Sequence, residues 1–204
     1  MVESLLSFSL ATIILAVSPG PDNIYVLTQS LTNGIKSGVA TTAGLISGCI
    51  VHTTLIAFGV SALITASEGI FYGIKVFGAL YLFYLAYKVY RSNPTISFSE
   101  GAPKKSGWSL FKQGVIMNLL NPKVMIFFLA FFPAFLWNEL EDTVSQFYIL
   151  GLVFMLVSFI VFSGIAVLAG SISGFITRYN SIGVILKWLQ IVVFLGIAIY
   201  ILIP

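Results

Sequence analysis

Long apolar stretches follow one another along this chain, and the polar positions gather mostly between them. Six stretches can be marked, at roughly 5–30, 38–65, 69–91, 109–136, 144–170 and 182–203. Each is long enough for a helix to cross the ~30 Å of hydrocarbon in a bilayer. The connections are short except between the third and fourth stretches. There the run from Ser92 to Gly107 is polar and holds Pro94, Gly101, Pro103, Lys104 and Lys105. The pattern predicts an all-α, polytopic membrane protein of six transmembrane helices in one domain over residues 1–204.

Two of the six stretches are interrupted. In the first, Ser18-Pro19-Gly20-Pro21-Asp22-Asn23 separates LLSFSLATIILAV from IYVLTQS. Pro19 and Pro21 lack backbone N–H groups and disfavour helix in the residues before them, and Gly20 adds freedom. The expectation is a helix that stops and restarts part-way across the membrane, with an acid at the restart. The fourth stretch carries Asn121-Pro122-Lys123 near its centre. Aligning Pro21 with Pro122 sets Asp22 against Lys123, 101 positions later in a chain of 204. Three spans per half is an odd number, so the halves would insert in opposite senses. The resulting expectation is two inverted three-helix repeats, about 1–91 and about 109–204, joined by a linker at about 92–108. Inverted repeats with interrupted helices at matching places are a transporter design, and the interruptions point to the site.

The chemistry of those interruptions suggests a ligand. A restarting helix presents unpaired N–H groups and the positive end of its dipole. Pro21 and Pro122 suit the first helical position, and Asn121 is a favoured N-cap. Two such starts near the bilayer centre would favour a carboxylate, with Lys123 adding a cation and Asp22 meeting an ammonium group. A zwitterionic amino acid fits that pair. The candidate substrate-binding residues are therefore Pro19, Gly20, Pro21, Asp22, Asn118, Asn121, Pro122 and Lys123. The competing reading is a permanent Asp22–Lys123 ion pair holding the halves together, with substrate bound elsewhere.

Asn118 and Asn121 share a face if the helix persists through Leu120, and either line the site or bridge helices. His52, mid-way along the second span, joins Asp22 as a candidate for ion coupling, since histidine titrates near neutrality. A packed histidine bonded to a neighbouring backbone is the alternative. Tyr25 and Gln29 follow Asp22 on a roughly common face, where contact with another helix is the stronger reading. Ala40, Gly44 and Gly48 form a small-residue stripe, suited to close packing within the fold or between subunits. Tyr81, Tyr84, Tyr87 and Tyr90 recur along the third span. Trp108, Trp137 and Trp188, near span ends, fit interface anchors, as does Tyr90.

Composition agrees with a membrane class. Residues are 58% hydrophobic and 8% charged, and the mean hydropathy is +1.04. The single cysteine, Cys49, permits no intrachain disulfide. No Lys or Arg precedes Lys36, so the N-terminus reads as a retained first helix rather than a secretory signal. With six spans, Lys36, Lys88, Arg91, Lys104, Lys105, Lys112, Arg178 and Lys187 share one side with Glu100. Glu3, Glu68, Glu139, Glu141 and Asp142 lie on the other, with Lys75 near a helix end. That bias places the linker in the cytoplasm and both termini outside.

SPGPDN in the first span and NLLNPK in the fourth, with GCIVHTTLIAFGVSAL and FFLAFFPAF, resemble the lysine-exporter (LysE/RhtB) family of amino-acid efflux proteins. The resemblance covers essentially the whole chain. The family's most recognisable positions fall on Pro19, Gly20, Pro21, Asn121, Pro122 and Lys123. It implies a secondary exporter of amino acids or related zwitterions in a prokaryotic inner membrane, driven by an ion gradient with protons as the expected counter-ion. Alternating access around a midplane site would follow. Partners implied are a small-molecule substrate, the counter-ion and the lipid bilayer, with a homo-oligomer left open. No nucleotide loop, metal-ligand spacing or nucleophile–base motif is present, so neither cofactor, metal, nucleic acid nor enzymatic role is expected. The alternatives are export of another solute or cation, an intramembrane enzyme built on His52 and Asp22, or a channel.

Overall fold

The computed structural model describes residues 1–18, 20–66, 68–92, 105–138, 141–172 and 181–202. All regular elements among them are helical: α1 (Val2–Val17), α2 (Pro21–Asn33), α3 (Ile35–Ala66), α4 (Glu68–Arg91), α5 (Gly107–Leu119), α6 (Pro122–Phe131), α7 (Thr143–Val167) and α8 (Ser181–Leu202). A 3₁₀ turn, Phe132–Phe135, extends α6. Most of the linker, 93–104, lies outside the described residues.

Four helices are long and apolar enough to cross a membrane alone: α3, α4, α7 and α8. The first expected span is two helices whose axes diverge by 59°, and together they make a fifth candidate. The fourth expected span is also broken. Its pieces, α5 of 13 residues and α6 of 10, reach only ~20 Å and ~15 Å at 1.5 Å per residue, too short to cross singly. The described helices thus give four to five candidate spans rather than a demonstrated six.

Both breaks have the local chemistry their sequences demand. At the first, the Ser18 amide closes α1 on the carbonyls of Ile14 and Leu15, at 3.1 Å each. Gly20 is the extended N-cap of α2 and Pro21 its first residue, where a missing N–H removes no intrahelical bond. The Asn23 side chain then reaches back to donate to the Ala16 carbonyl at 2.7 Å, satisfying an acceptor that α1 leaves open. At the second, α5 stops at Leu119, and the Asn121 carbonyl accepts from Met125 N at 3.2 Å as the N-cap of α6. Asn118 and Asn121 therefore do not share one continuous helix face. Between α2 and α3 the chain turns at Gly34, whose φ of +86° is open to glycine and strained for other residues.

Close backbone approaches set the packing. α3 and α5 run parallel: Ala40 neighbours Gly107, Gly44 abuts the Phe111 carbonyl, and Gly48 seats Asn118. The small-residue stripe thus serves packing within the fold. α7 runs antiparallel to α3, with Thr143 bonded to Ser61 at 2.9 Å and Gly151 tight against Thr53. α8 packs on α4, where Lys187 Nζ donates to the Ser92 carbonyl at 2.8 Å and Tyr90 meets Trp188 edge-on.

The core has two unlike halves. Around α1, α6 and the 3₁₀ turn, Phe8 packs on Phe131, Phe132 and Phe135 with ring centroids 5.1–5.3 Å apart. Phe127, Phe128, Phe147, Phe154 and Phe194 extend this aromatic core. Around α2, α5 and the adjoining ends of α3 and α7, the apolar core shrinks to Val26, Leu45 and Ala166 with a few partly buried neighbours. Buried Thr28, Gln29, Ser30, Thr41 and Thr42 fill that half instead.

Candidate functional site

The breaks meet. A cavity of about 80 Å³ lies where α1 gives way to α2 and α5 to α6, several times the ~10–15 Å³ that one water occupies on the same measure. Ser18, Gly20, Pro21, Asp22 and Asn23 border it from the first break, and Asn118, Asn121 and Val124 from the second. Leu45, Ile46 and Cys49 of α3 close one wall, and Phe154, Ser158 and Phe162 of α7 another. The two broken helices run in opposite senses there, since α1 pairs Phe8 with Phe131 and Phe135 while its far end, at Leu15 and Ser18, joins Asn118 and Asn121 at the cavity.

Of the eight candidate binding residues, the fold brings Gly20, Pro21, Asp22, Asn118 and Asn121 to this one space. Pro19 lies outside the described residues, as do the side chains of Pro122 and Lys123, although their backbone opens α6. Asn118 is a junction. Its side-chain amide donates to Cys49 Sγ at 3.5 Å, and its carbonyl accepts from Asn121 N at 3.1 Å. The same carbonyl lies 3.3 Å from His52 Nε2. His52 sits one turn beyond Cys49, 3% exposed, with its ring centroid 5.6 Å from that of Phe128. It thus reaches the break through backbone rather than facing the cavity. Tyr25 and Gln29 face elsewhere: Gln29 accepts from Asn33 at 2.9 Å, and the Tyr25 hydroxyl is buried without a hydrogen-bond partner.

The LysE type translocator family model matches residues 13–204. The chain belongs to that family. A homoserine/homoserine lactone efflux protein of Salmonella typhimurium is 33% identical over 170 residues, covering 83% of this chain and 82% of that one. A membrane protein of Vibrio cholerae of uncharacterised role is 28% identical over 175 residues, covering 86% and 85%. No solved structure matches the chain.

In this LysE translocator SPGPDN and NLLNPK, two of the stretches behind the family resemblance, bring α1, α2, α5 and α6 to the cavity. What they do not reveal is the contribution of α7. Phe154, Ser158 and Phe162 recur at four-residue spacing, so they form one stripe facing the breaks. The only signal was a serine inside a strongly apolar span. Asn23 was likewise visible as part of the motif, but its tie across the break requires the fold.

Proposed function

We propose that this LysE translocator is a secondary active exporter of amino acids or closely related small zwitterionic metabolites. The observation that carries the reading is the convergence of both interruptions on one cavity. Two inverted three-helix repeats, about 1–91 and 109–204, would supply it, with α1–α2 and α5–α6 each counted as one span to make six. Packing supports the exchange: α3 rests on α5 as α7 rests on α1, and the self-matched pairs α3–α7 and α4–α8 lie together.

In this reading the N-terminus of α6, with Lys123, holds the substrate carboxylate, and Asp22 holds its ammonium. With the site empty, the opposite charges of Asp22 and Lys123 would neutralise each other. Protons are the counter-ion, with Asp22 and His52 as the coupling groups. The repeats rock about the cavity, opening first through the half rich in buried hydroxyls and then through the phenylalanine half. The end bearing Lys36, Lys105 and Lys112 faces the cytoplasm of an inner membrane, with the linker, and both termini lie outside.

The test is an inventory of metabolites in cells overproducing the chain. Amino acids should fall inside and rise outside, and a proton-gradient uncoupler should halt the movement. A flux that neither saturates nor responds to the gradient would speak for a channel.

A further inference from the structure

A second cavity, of about 190 Å³, lies between the second turn of α1 and the last turn of α8, at the end of the bundle that carries both termini. Ser7 and Ala11 of α1 border it, with Phe131 of α6, Phe135 of the 3₁₀ turn, and Gly196 and Tyr200 of α8. It continues the central cavity. On α1, Ser7 and Ala11 border the outer space and Leu15 the central one, four positions apart each time and hence on one stripe. On α6, Phe127 borders the central cavity and Phe131 the outer one, at the same spacing. Each helix thus lines both spaces with a single face, and the interval between them is one helical turn, ~6 Å. Phe127 and Phe131 stack across it with ring centroids 4.5 Å apart, and both are buried.

The outer cavity is not built to hold a zwitterion. None of the described residues that border it is charged, and Ser7 and Tyr200 offer only hydroxyls. Nor do side chains fill it. α8 rests mainly on α4 and touches α1 and α6 only lightly, and a Cβ added at Gly196 would meet no atom within 4 Å.

We propose that this cavity is the outer vestibule of the export path, and that the Phe127–Phe131 stack is the partition a substrate passes to reach it. The proposal rests on the central cavity being the substrate site. A vestibule without charge gives the leaving zwitterion nothing to pair with, so the substrate is released rather than retained. Phenylalanine rings have no hydrogen bonds to break, so a stacked pair can part and re-form with each cycle. The other occupant open to an apolar groove in a membrane protein is a lipid chain, and the test separates the two.

The experiment uses the full chain in right-side-out membrane vesicles preloaded with a labelled mixture of the standard amino acids, under an imposed proton gradient. Gly196→Cys is compared with itself before and after a membrane-impermeant methanethiosulfonate reagent is added outside, on the side of the termini. Modification should cut its export at least about ten-fold, as expected of an overpacked passage, and a reducing agent should restore it. Treated wild type, whose one cysteine is the buried Cys49, should hold its rate. Gly196→Leu is a reagent-free second variant and should fall likewise, while Gly59→Leu, at an equally open position of α3, should not. Modified Gly196→Cys or Gly196→Leu exporting at the wild-type rate would give the cavity to a lipid chain and overturn the passage while leaving amino-acid export standing. A cysteine at 196 that gains no mass from the outside reagent would overturn it as well. A wild type without saturable efflux of any amino acid would overturn the parent reading and the passage together.

Discussion

His52 Nε2 and the backbone carbonyl of Asn118 lie 3.3 Å apart, joining the middle of α3 to the last turn of α5 beside the second break. A carbonyl only accepts, so the neutral imidazole in this bond carries its proton on Nε2 and presents a lone pair at Nδ1. Nδ1 is buried and without a hydrogen-bond partner. The ring thus ties α3 to α5 and leaves one ring nitrogen unpartnered a residue away from the cavity. His52→Gln keeps a donor for the carbonyl but cannot titrate. Downhill efflux should survive within about three-fold, while stimulation by an imposed pH gradient should disappear. Retained stimulation would leave His52 as a strut only.

Gly44 approaches the Phe111 backbone so closely that any Cβ would collide with it, and Gly114 is held against Thr41 and Leu45 in the same way. Backbone cannot yield as a flexible side chain can. Gly44→Val should therefore lower stability by about 3 kcal/mol, the upper end of the overpacking range. Thermal unfolding in detergent reads this directly. Gly59→Ala and Gly164→Ala are the controls, since nothing lies within 4 Å of an added Cβ at either position.

Gln146 holds the turn that leads into α7. Its Oε1 accepts from Trp137 N at 2.9 Å and Asn138 N at 3.2 Å, and its Nε2 donates to the carbonyls of Asn138 and Glu141. The side chain is 2% exposed, so these bonds form away from water. Gln146→Leu would strip partners from several backbone groups at once, at about 1 kcal/mol each. A loss of roughly 2–4 kcal/mol in the same unfolding assay is expected, with faster proteolysis near Asp142.

The two halves of the core should differ in access. With Cys49 replaced by Ala, single cysteines at Thr42 and Ser163 lie in the half where hydroxyls are buried without partners. A cysteine at Phe8 lies among stacked phenylalanines. A membrane-impermeant thiol reagent should label the first two from the side of Lys36 and leave the third untouched until transport is driven. Labelling of Phe8→Cys at rest would reverse the assignment of the closed side.

How much of this was legible beforehand follows from what each feature depends on. The breaks at Pro21 and Pro122 were readable because proline acts locally, through its missing N–H and its ring. The bounds of α3, α4, α7 and α8 fall within a few residues of the apolar stretches, because hydropathy acts over a whole span. Asn118 and Asn121 would share a face only if the helix persisted through Leu120, and α5 stops at Leu119. They meet instead because the broken chain folds around one cavity. Asn23 and Gln146 bond across a break or a turn, and Ser158 borders a cavity whose other walls lie far along the chain, which spacing alone does not encode. The Asp142 backbone, left-handed at φ 51° where the chain enters α7, belongs to the same class.

The central claim is that the two breaks make one zwitterion site, with Asp22 and Lys123 as its opposite charges. It is tested most directly by efflux of a labelled amino acid from loaded vesicles carrying wild type, Asp22→Asn or Lys123→Ala at matched membrane levels. The account predicts that each substitution reduces export by about 100-fold or more, as expected when a charged hydrogen bond in a desolvated site is lost. Wild-type rates from either well-inserted variant would contradict it.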